Sequence, residues 1–422
     1  MNKKNNYGLS NIEVSQGTLL DKAVQADNLL IYSREGQGEY LKKNEKSLVY
    51  RKDFETYGRE LLNKSPDDLV GIMVELGEPV YRAKQLYAWI LAGAVYDEMT
   101  NLPLSLRAKL AERFSDVAVK IVKSLQAKDG SEKYLYQLAD SNIIEGVFLP
   151  NAYGNTLCVS SQAGCRMGCI FCASGENGLE RNLESAEIVG QFIMACKRQI
   201  NSKSSSYVTH YNDLSAIQAP SRAISNIVLM GSGEPLDNYD NVIRAIRMLI
   251  DTNGLNVSAR NISLSTCGLV PRILKLAKEG LAITLSLSLH ATTDEARREL
   301  MPIAKKYSIK DTINALKVYF EATGRRVCIE YVLVGGENDT LNDAKRLAQL
   351  VKDFSSHVNL ITLNTTGVKT LKASDKDSTL NFYKELSKLG VSVSTRRSYG
   401  SDIFGACGQL VATCRHSKRK DD

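Results

Sequence analysis

The chain has 422 residues, 43% hydrophobic and 24% charged, which at about 150 residues per domain allows two or three units with an ample buried core. This composition excludes a wholly disordered, collagen-like or small disulfide-stapled protein. No apolar run approaches the roughly eighteen residues of a membrane span, and no leader-like apolar stretch follows Met1-Asn2-Lys3-Lys4, so a cytoplasmic protein without membrane contact is expected. Lys and Arg number 54 against 47 Asp and Glu, a net +7 that permits a polyanionic partner without demanding one.

Residues 1–52 are polar and lysine-rich and read as a weakly ordered extension or small accessory element. Over 53–115 the apolar spacing is helical. Ser65-Pro66 supplies a cap and a first-turn proline ahead of Leu69, Ile72, Met73 and Leu76. A second helix runs through Tyr81, Leu86, Trp89 and Ile90, and a third through Leu106, Leu110 and Phe114. This small all-helical domain carries Arg82, Lys84, Arg107 and Lys109, which could meet phosphate, although such charges more often form a solvated face.

Residues 116–150 change period to short strands joined by hairpins, one at Asp129-Gly130. From 151 to 395 strands and helices alternate. Strands are predicted at 156–160, 227–230, 262–265, 283–289, 327–334, 358–363 and 391–394. Helices are predicted at 185–199, 238–250, 271–279, 310–322, 341–354 and 378–389, and residues 201–225 read as a surface insertion. Such alternation predicts a helix-covered parallel sheet, open or barrel-like, with active residues at the C-terminal strand ends.

All nine cysteines lie at or beyond Cys158. In a reducing compartment a local group of thiols reads as metal ligation or catalysis. Cys165-x3-Cys169-x2-Cys172 directly follows the first strand of the alternating region. Three thiolates with no local fourth ligand are awkward for structural zinc and suit a 4Fe-4S cluster with one iron left open. The spacing, with Phe171 before the last cysteine, resembles the cluster loop of radical S-adenosylmethionine (SAM) enzymes. Met230-Gly231-Ser232-Gly233-Glu234-Pro235 ends the next strand and suits close backbone approach to the amino-acid part of SAM, although alone it is more often a turn. Ser265, Ser288-Leu289-His290 and Asn364 stand at or beside further strand ends. Cys196, Cys328 and Cys414 read as small buried hydrophobes.

Near the C-terminus runs Arg396-Arg397-Ser398-Tyr399-Gly400-Ser401-Asp402-Ile403-Phe404-Gly405-Ala406-Cys407-Gly408-Gln409-Leu410. With Thr156-Leu157-Cys158-Val159-Ser160-Ser161-Gln162 and Glu98-Met99-Thr100-Asn101-Leu102-Pro103, it closely resembles the RlmN/Cfr family of radical SAM RNA methyltransferases, its RlmN branch in particular, over about residues 54–412. The resemblance implies an α/β fold, a partial (β/α)6 TIM-like radical SAM barrel with a small N-terminal all-helical domain and a short β-hairpin extension. The corresponding units are 1–52, 53–115, 116–150, the core 151–395, and 396–422 with the catalytic cysteine and a basic tail.

The same resemblance implies the chemistry: methylation of adenine C2 in 23S rRNA, with adenosine 37 of tRNA as a further substrate and two SAM per turnover. One 4Fe-4S cluster would sit on Cys165, Cys169 and Cys172. Gly233, Glu234, Ser265, Ser288, Leu289, His290 and Asn364 would line the SAM pocket, with Cys267 a wall of it. Cys407 would accept a methyl group from one SAM, because a thiolate is a competent nucleophile where an aromatic carbon is not. A radical derived from a second SAM would activate that group for addition to adenine. Glu145 would take the ring proton, and Cys158 would release product through a transient disulfide with Cys407. A reductant such as flavodoxin or ferredoxin, a monomeric enzyme and an extruded adenine are expected. Arg325, Arg326, Arg396, Arg397 and the basic residues 415–420 would contact phosphate. Ser232 departs from the methionine common in the family. Two rival readings are a Cfr-type enzyme acting at adenine C8 and a non-catalytic RNA-binding protein with a structural metal.

Overall fold

The computed structural model describes residues 60–203, 223–364 and 371–411. The extension 1–52, most of the insertion at 201–225, Cys414 and the tail at 415–420 lie outside the described residues.

Three helices open the described chain: α1 (Pro66–Glu75), α2 (Tyr81–Leu91) and α3 (Leu104–Arg113). Ser65 starts α1 with a reciprocal cap, its Oγ accepting from Asp68 N at 3.1 Å while the Asp68 carboxylate accepts from Ser65 N at 2.8 Å. Leu69, Met73, Leu86, Trp89 and Leu110 are buried and merge with the main core. Three of the four basic residues predicted to meet phosphate serve this unit's own backbone, and Lys84 is exposed. Arg82 donates to Asn101 O (2.6 Å), Arg107 Nε to Leu102 O (3.1 Å) and Lys109 to Leu76 O (3.2 Å), so these side chains brace the turn and helix ends.

Strands β1 (Lys120–Gln126), β2 (Glu132–Gln137) and β3 (Ile143–Leu149) form an antiparallel meander. β3 pairs antiparallel with β4 (Thr156–Cys158), so the meander continues directly into the core sheet. After a small separate ribbon of β5 (Gln162–Gly164) and β6 (Leu179–Asn182), six more strands follow. These are β7 (Asn226–Leu229), β8 (Ile262–Thr266), β9 (Thr284–Ser288), β10 (Val327–Leu333), β11 (Ser356–Thr362) and β12 (Val393–Arg396). From β4 through β12 every neighbouring pair is parallel, giving one sheet in the order β1-β2-β3-β4-β7-β8-β9-β10-β11-β12. Six strand–helix units thus form the helix-covered parallel sheet that the alternation predicts and the partial barrel that the resemblance implies, and β12 extends it by a seventh parallel strand.

The crossovers carry α4 (Ser185–Lys203), α5 (Tyr239–Ile250), α6 (Val270–Leu276), α7 (Asp294–Leu300), α8 (Ile309–Thr323), α9 (Leu341–Val351) and α10 (Lys376–Lys388). Parallel strands bury both faces, but here the two faces differ. Ile262, Leu264, Leu285 and Ile329 are fully buried in the main core. The alternate residues pair as hydroxyls, Ser263 with Ser286 (3.2 Å) and Ser265 with Ser288 (3.3 Å), which makes the concave face polar. Among the described residues no helix is long and apolar enough to cross a membrane.

The ribbon β5–β6 and helix α7 are the elements the sequence pattern does not announce. The strands have only three and four residues, and α7 reads Asp-Glu-Ala-Arg-Arg-Glu-Leu, with Arg297 and Leu300 as its buried side chains. Neither is long enough to display a period.

Candidate active site

The site is built at the C-terminal strand ends, beginning where β4 stops. The chain turns after β5 at Gly164, where φ is +77° and a Cβ would stand 2.1 Å from Gly178 O. Only glycine fits there, and the turn lets Cys165 N donate to Gly178 O at 2.8 Å. The following loop carries Cys165, Cys169 and Cys172, all half-buried. It is tied on two sides: Ile170 N donates to Leu300 O (3.0 Å) at the end of α7, and Ala173 N donates to Gly408 O (2.8 Å). Ser174 Oγ adds a bond to Leu410 O at 2.7 Å. The thiol loop and the segment bearing Cys407 are therefore one hydrogen-bonded unit.

A cavity with about 940 Å3 of empty space, its open mouth included, lies over these strand ends, within the usual range for a cofactor-sized ligand. The three thiols border it on one side. Gly233, Glu234, Ser265, Ser288, His290 and Asn364 border it on others, together with Cys267, so the structure brings these separately predicted residues to one space. Leu289 is the exception. Its side chain is fully buried in the core, its N–H donates to Glu330 O (3.1 Å) and its carbonyl accepts from Arg297 Nε (3.2 Å).

Several of these residues hold the protein's own backbone. Glu234 accepts from Cys267 N (2.8 Å) and Leu236 N (3.1 Å), clamping the ends of β7 and β8 together, and burial raises its carboxyl above the usual range. A Cβ on Gly231 would lie 2.7 Å from Val159 O, and one on Gly233 2.7 Å from the Gln162 Cβ. The glycine pattern therefore answers first to close approach of the neighbouring strand and its following turn. His290 has φ of +58°, and its Nδ1 accepts from Val332 N at 3.0 Å, so the ring proton belongs on Nε2. The ring also meets Phe171 edge-on at 4.9 Å. Burial, with help from Arg297, lowers its pKa to about 3, so it is neutral.

A second, smaller space is bordered by Cys158, Cys407, Val147, Leu149 and Arg396. Cys158 ends β4 opposite Val147 of β3 and Val228 of β7. Burial, reinforced by the neighbouring Cys407 charge, pushes its thiol up to about 12. Cys407 is exposed and borders both cavities; Asn364 Nδ2 holds its carbonyl at 3.1 Å. Glu145 lies on β3 two residues before Val147, yet borders neither cavity. Its Oε1 accepts from Lys133 Nζ (2.9 Å) and its Oε2 from Val411 N (3.0 Å).

The predicted phosphate contacts separate. Arg325 donates to Ile283 O (3.4 Å) and Thr284 Oγ1 (3.3 Å), so it and Arg326, just before β10, sit at the N-terminal strand ends, opposite the cavity. Arg396 is half-buried inside the site, 3.5 Å from Glu330 Oε2 and 3.2 Å from Met230 Sδ, and its guanidinium is held further toward the charged form by Cys407 and Glu330. Arg397 borders the smaller cavity beside Tyr399. Lys133 and Arg297 belong to no motif, whereas Glu330 opens the stretch Glu330-Tyr331-Val332-Leu333 that shares in the family resemblance, and an acid within the apolar run of β10 is a readable anomaly.

Among the described residues no three His, Cys, Asp or Glu side chains converge on a single metal ion. A cuboidal cluster does not need that, because each thiolate binds its own iron. The donor set fits such a cluster: burial raises all three thiols, Cys165 to about 12, so ligation replaces protons on buried sulfurs.

The Radical SAM superfamily model matches residues 159–351, and that of the ribosomal RNA large subunit methyltransferase N-terminal domain matches 59–115. A probable dual-specificity RNA methyltransferase RlmN of Lachnoclostridium phytofermentans is 45% identical over 82% of this chain and 92% of its own length. The chain belongs to the RlmN family of radical SAM enzymes. A second RlmN-family relative, the probable dual-specificity RNA methyltransferase RlmN of Staphylococcus aureus, is 42% identical over 82% of this chain and 91% of its own length. The crystal structure of a radical SAM methyltransferase from Sphaerobacter thermophilus superposes with a TM-score of 0.76 at 38% identity, over 83% of this chain and 98% of the other. As an RlmN-family member of this superfamily the protein takes one 4Fe-4S cluster and SAM.

Proposed function

We propose that this protein methylates C2 of an adenine in 23S rRNA and of adenosine 37 in tRNA, with Cys407 as the methyl carrier and two SAM per turnover. The observation that carries the reading is that Cys407 borders both the large cavity with its three thiols and the small one containing Cys158. A ring carbon of adenine has no lone pair with which to displace the SAM methyl group, whereas a thiolate has. A carrier thiol beside the SAM pocket and a second thiol beside the carrier are what that chemistry needs. The names of the relatives, dual-specificity RNA methyltransferases, support RNA as the substrate, and the family matched at residues 59–115 is named for methyltransferases of large-subunit ribosomal RNA.

The 4Fe-4S cluster and SAM, when bound, would supply the one-electron chemistry that methylation of an aromatic carbon needs. Cys165, Cys169 and Cys172 would hold the cluster. Gly233, Glu234, Ser265, Ser288 and Asn364 would shape the SAM pocket, with His290 offering Nε2–H as a neutral donor. Cys407, exposed at the rim, receives the methyl group and later the RNA. Cys158 then displaces product by forming a disulfide with Cys407, which an external thiol reduces. Glu145 takes the ring proton. Because Lys133 and Val411 N occupy its carboxylate, the segment 398–411 must shift for Glu145 to reach the base. A one-electron donor of the flavodoxin or ferredoxin class, a monomeric state and a cytoplasmic location complete the proposal.

The test is anaerobic reconstitution with SAM, dithionite and unmodified 23S rRNA or tRNA, followed by nucleoside mass spectrometry. The expected product is 2-methyladenosine from both RNAs. A product of 8-methyladenosine overturns the C2 assignment, and full activity of Cys407→Ser overturns the carrier mechanism.

A further inference from the structure

Arg297, on α7, is fully buried, and among the described residues no carboxylate forms an ion pair with it. Its hydrogen bonds run to backbone carbonyls at the ends of β8 and β9: one guanidinium nitrogen donates to Cys267 O at 2.7 Å and Ser288 O at 3.3 Å, and Nε to Leu289 O at 3.2 Å. The remaining nitrogen, Nη1, is buried without a partner. A sealed cation with an idle N–H is a costly arrangement unless an anion is supplied from elsewhere.

The surroundings indicate which anion. Leu300, closing the same short helix, accepts from Ile170 N between Cys169 and Cys172 at 3.0 Å. Cys267, whose carbonyl holds the guanidinium, borders the large cavity. Met167, Cys267, Leu300 and Met301 pack as one apolar group against Cys165 and Cys169. The guanidinium also acts electrostatically on the Cys169 thiol.

We propose that Arg297 is the fixed counter-charge of the iron–sulfur centre, acting through the apolar shell behind Cys169. This deepens the cofactor reading and rests on Cys165, Cys169 and Cys172 being the ligands. Three thiolates on a 4Fe-4S core leave net negative charge, and accepting an electron from the one-electron donor makes the centre one unit more negative. A cation held in a low-dielectric shell favours the reduced form and so raises the potential at which that electron is accepted. A role confined to bracing strand ends would leave the potential alone.

The experiment is an EPR-monitored redox titration of the anaerobically reconstituted holoenzyme, wild type against Arg297→Gln and Arg297→Lys. Arg297→Gln, neutral but still able to hydrogen-bond, is expected to titrate at a more negative potential, and Arg297→Lys close to wild type. Coincidence of the Gln variant with wild type overturns the proposal, as does a Lys variant that behaves like Gln. If Arg297→Gln does not load iron, the Lys variant decides: loading with near-wild-type potential supports the charge role, and failure to load overturns it. Loss of the ligand assignment is seen separately, as retention of a wild-type EPR signal in Cys169→Ala.

Discussion

Lys133 Nζ lies 2.9 Å from Glu145 Oε1, and both side chains are sealed from solvent. The pair straddles the segment that carries Cys407. Lys133 also donates to Phe404 O at 3.3 Å, before the cysteine, and Glu145 accepts from Val411 N at 3.0 Å, after it. Two adjacent strands, β2 and β3, thereby fasten both flanks of a loop far from them in sequence.

Removing one member of a buried pair leaves the other charge uncompensated. Lys133→Met is expected to destabilise the protein by about 3–5 kcal/mol in chemical denaturation. Lys133→Met combined with Glu145→Leu should recover much of that loss. A single variant within about 1 kcal/mol of wild type would count against the pair as a clamp.

The two thiols at the smaller cavity should differ sharply in alkylation. Exposed Cys407 is expected to react with iodoacetamide first, and buried Cys158 slowly. Because the Cys158 thiol ionises only near about 12, it stays protonated at neutral pH. Its rate should rise about tenfold per pH unit, without a plateau below pH 10. Peptide mass spectrometry reads both sites at once; a plateau near pH 8 would show that the folded protein does not hold this thiol up.

At Gly231 a methyl group would meet Val159 O at 2.7 Å and Ser160 N at 2.8 Å, forcing β4 and β7 apart at the cavity floor. Gly231→Ala should cost about 1–3 kcal/mol of stability and weaken SAM binding by calorimetry. Unchanged affinity would mean that the strand spacing does not shape the pocket.

Cys165→Ala removes one of three thiolates and leaves Cys169 and Cys172 in place. Iron and sulfide content should fall well below wild type after reconstitution, with no 5′-deoxyadenosine formed from SAM, while the circular dichroism of the fold is retained. Full iron loading in this variant would exclude Cys165 as a ligand.

Apolar periodicity and thiol spacing are local properties, so the strand–helix order of the core, the three-helix unit and the short-range motifs are legible along the chain. Cys165, Cys169 and Cys172 are legible for that reason. That Cys158 and Cys407 border one cavity, that Arg325 lies at the end of the barrel away from it, and that Leu289 is a core side chain are settled by the folded arrangement. So is the burial of Lys133, Arg297 and Glu330, where a charged residue is read as exposed by default. The reason is that burial and charge pairing belong to contacts between distant segments: β2 with the C-terminal loop, α7 with the thiol loop, β10 with β12. No window along the chain contains both partners of such a contact.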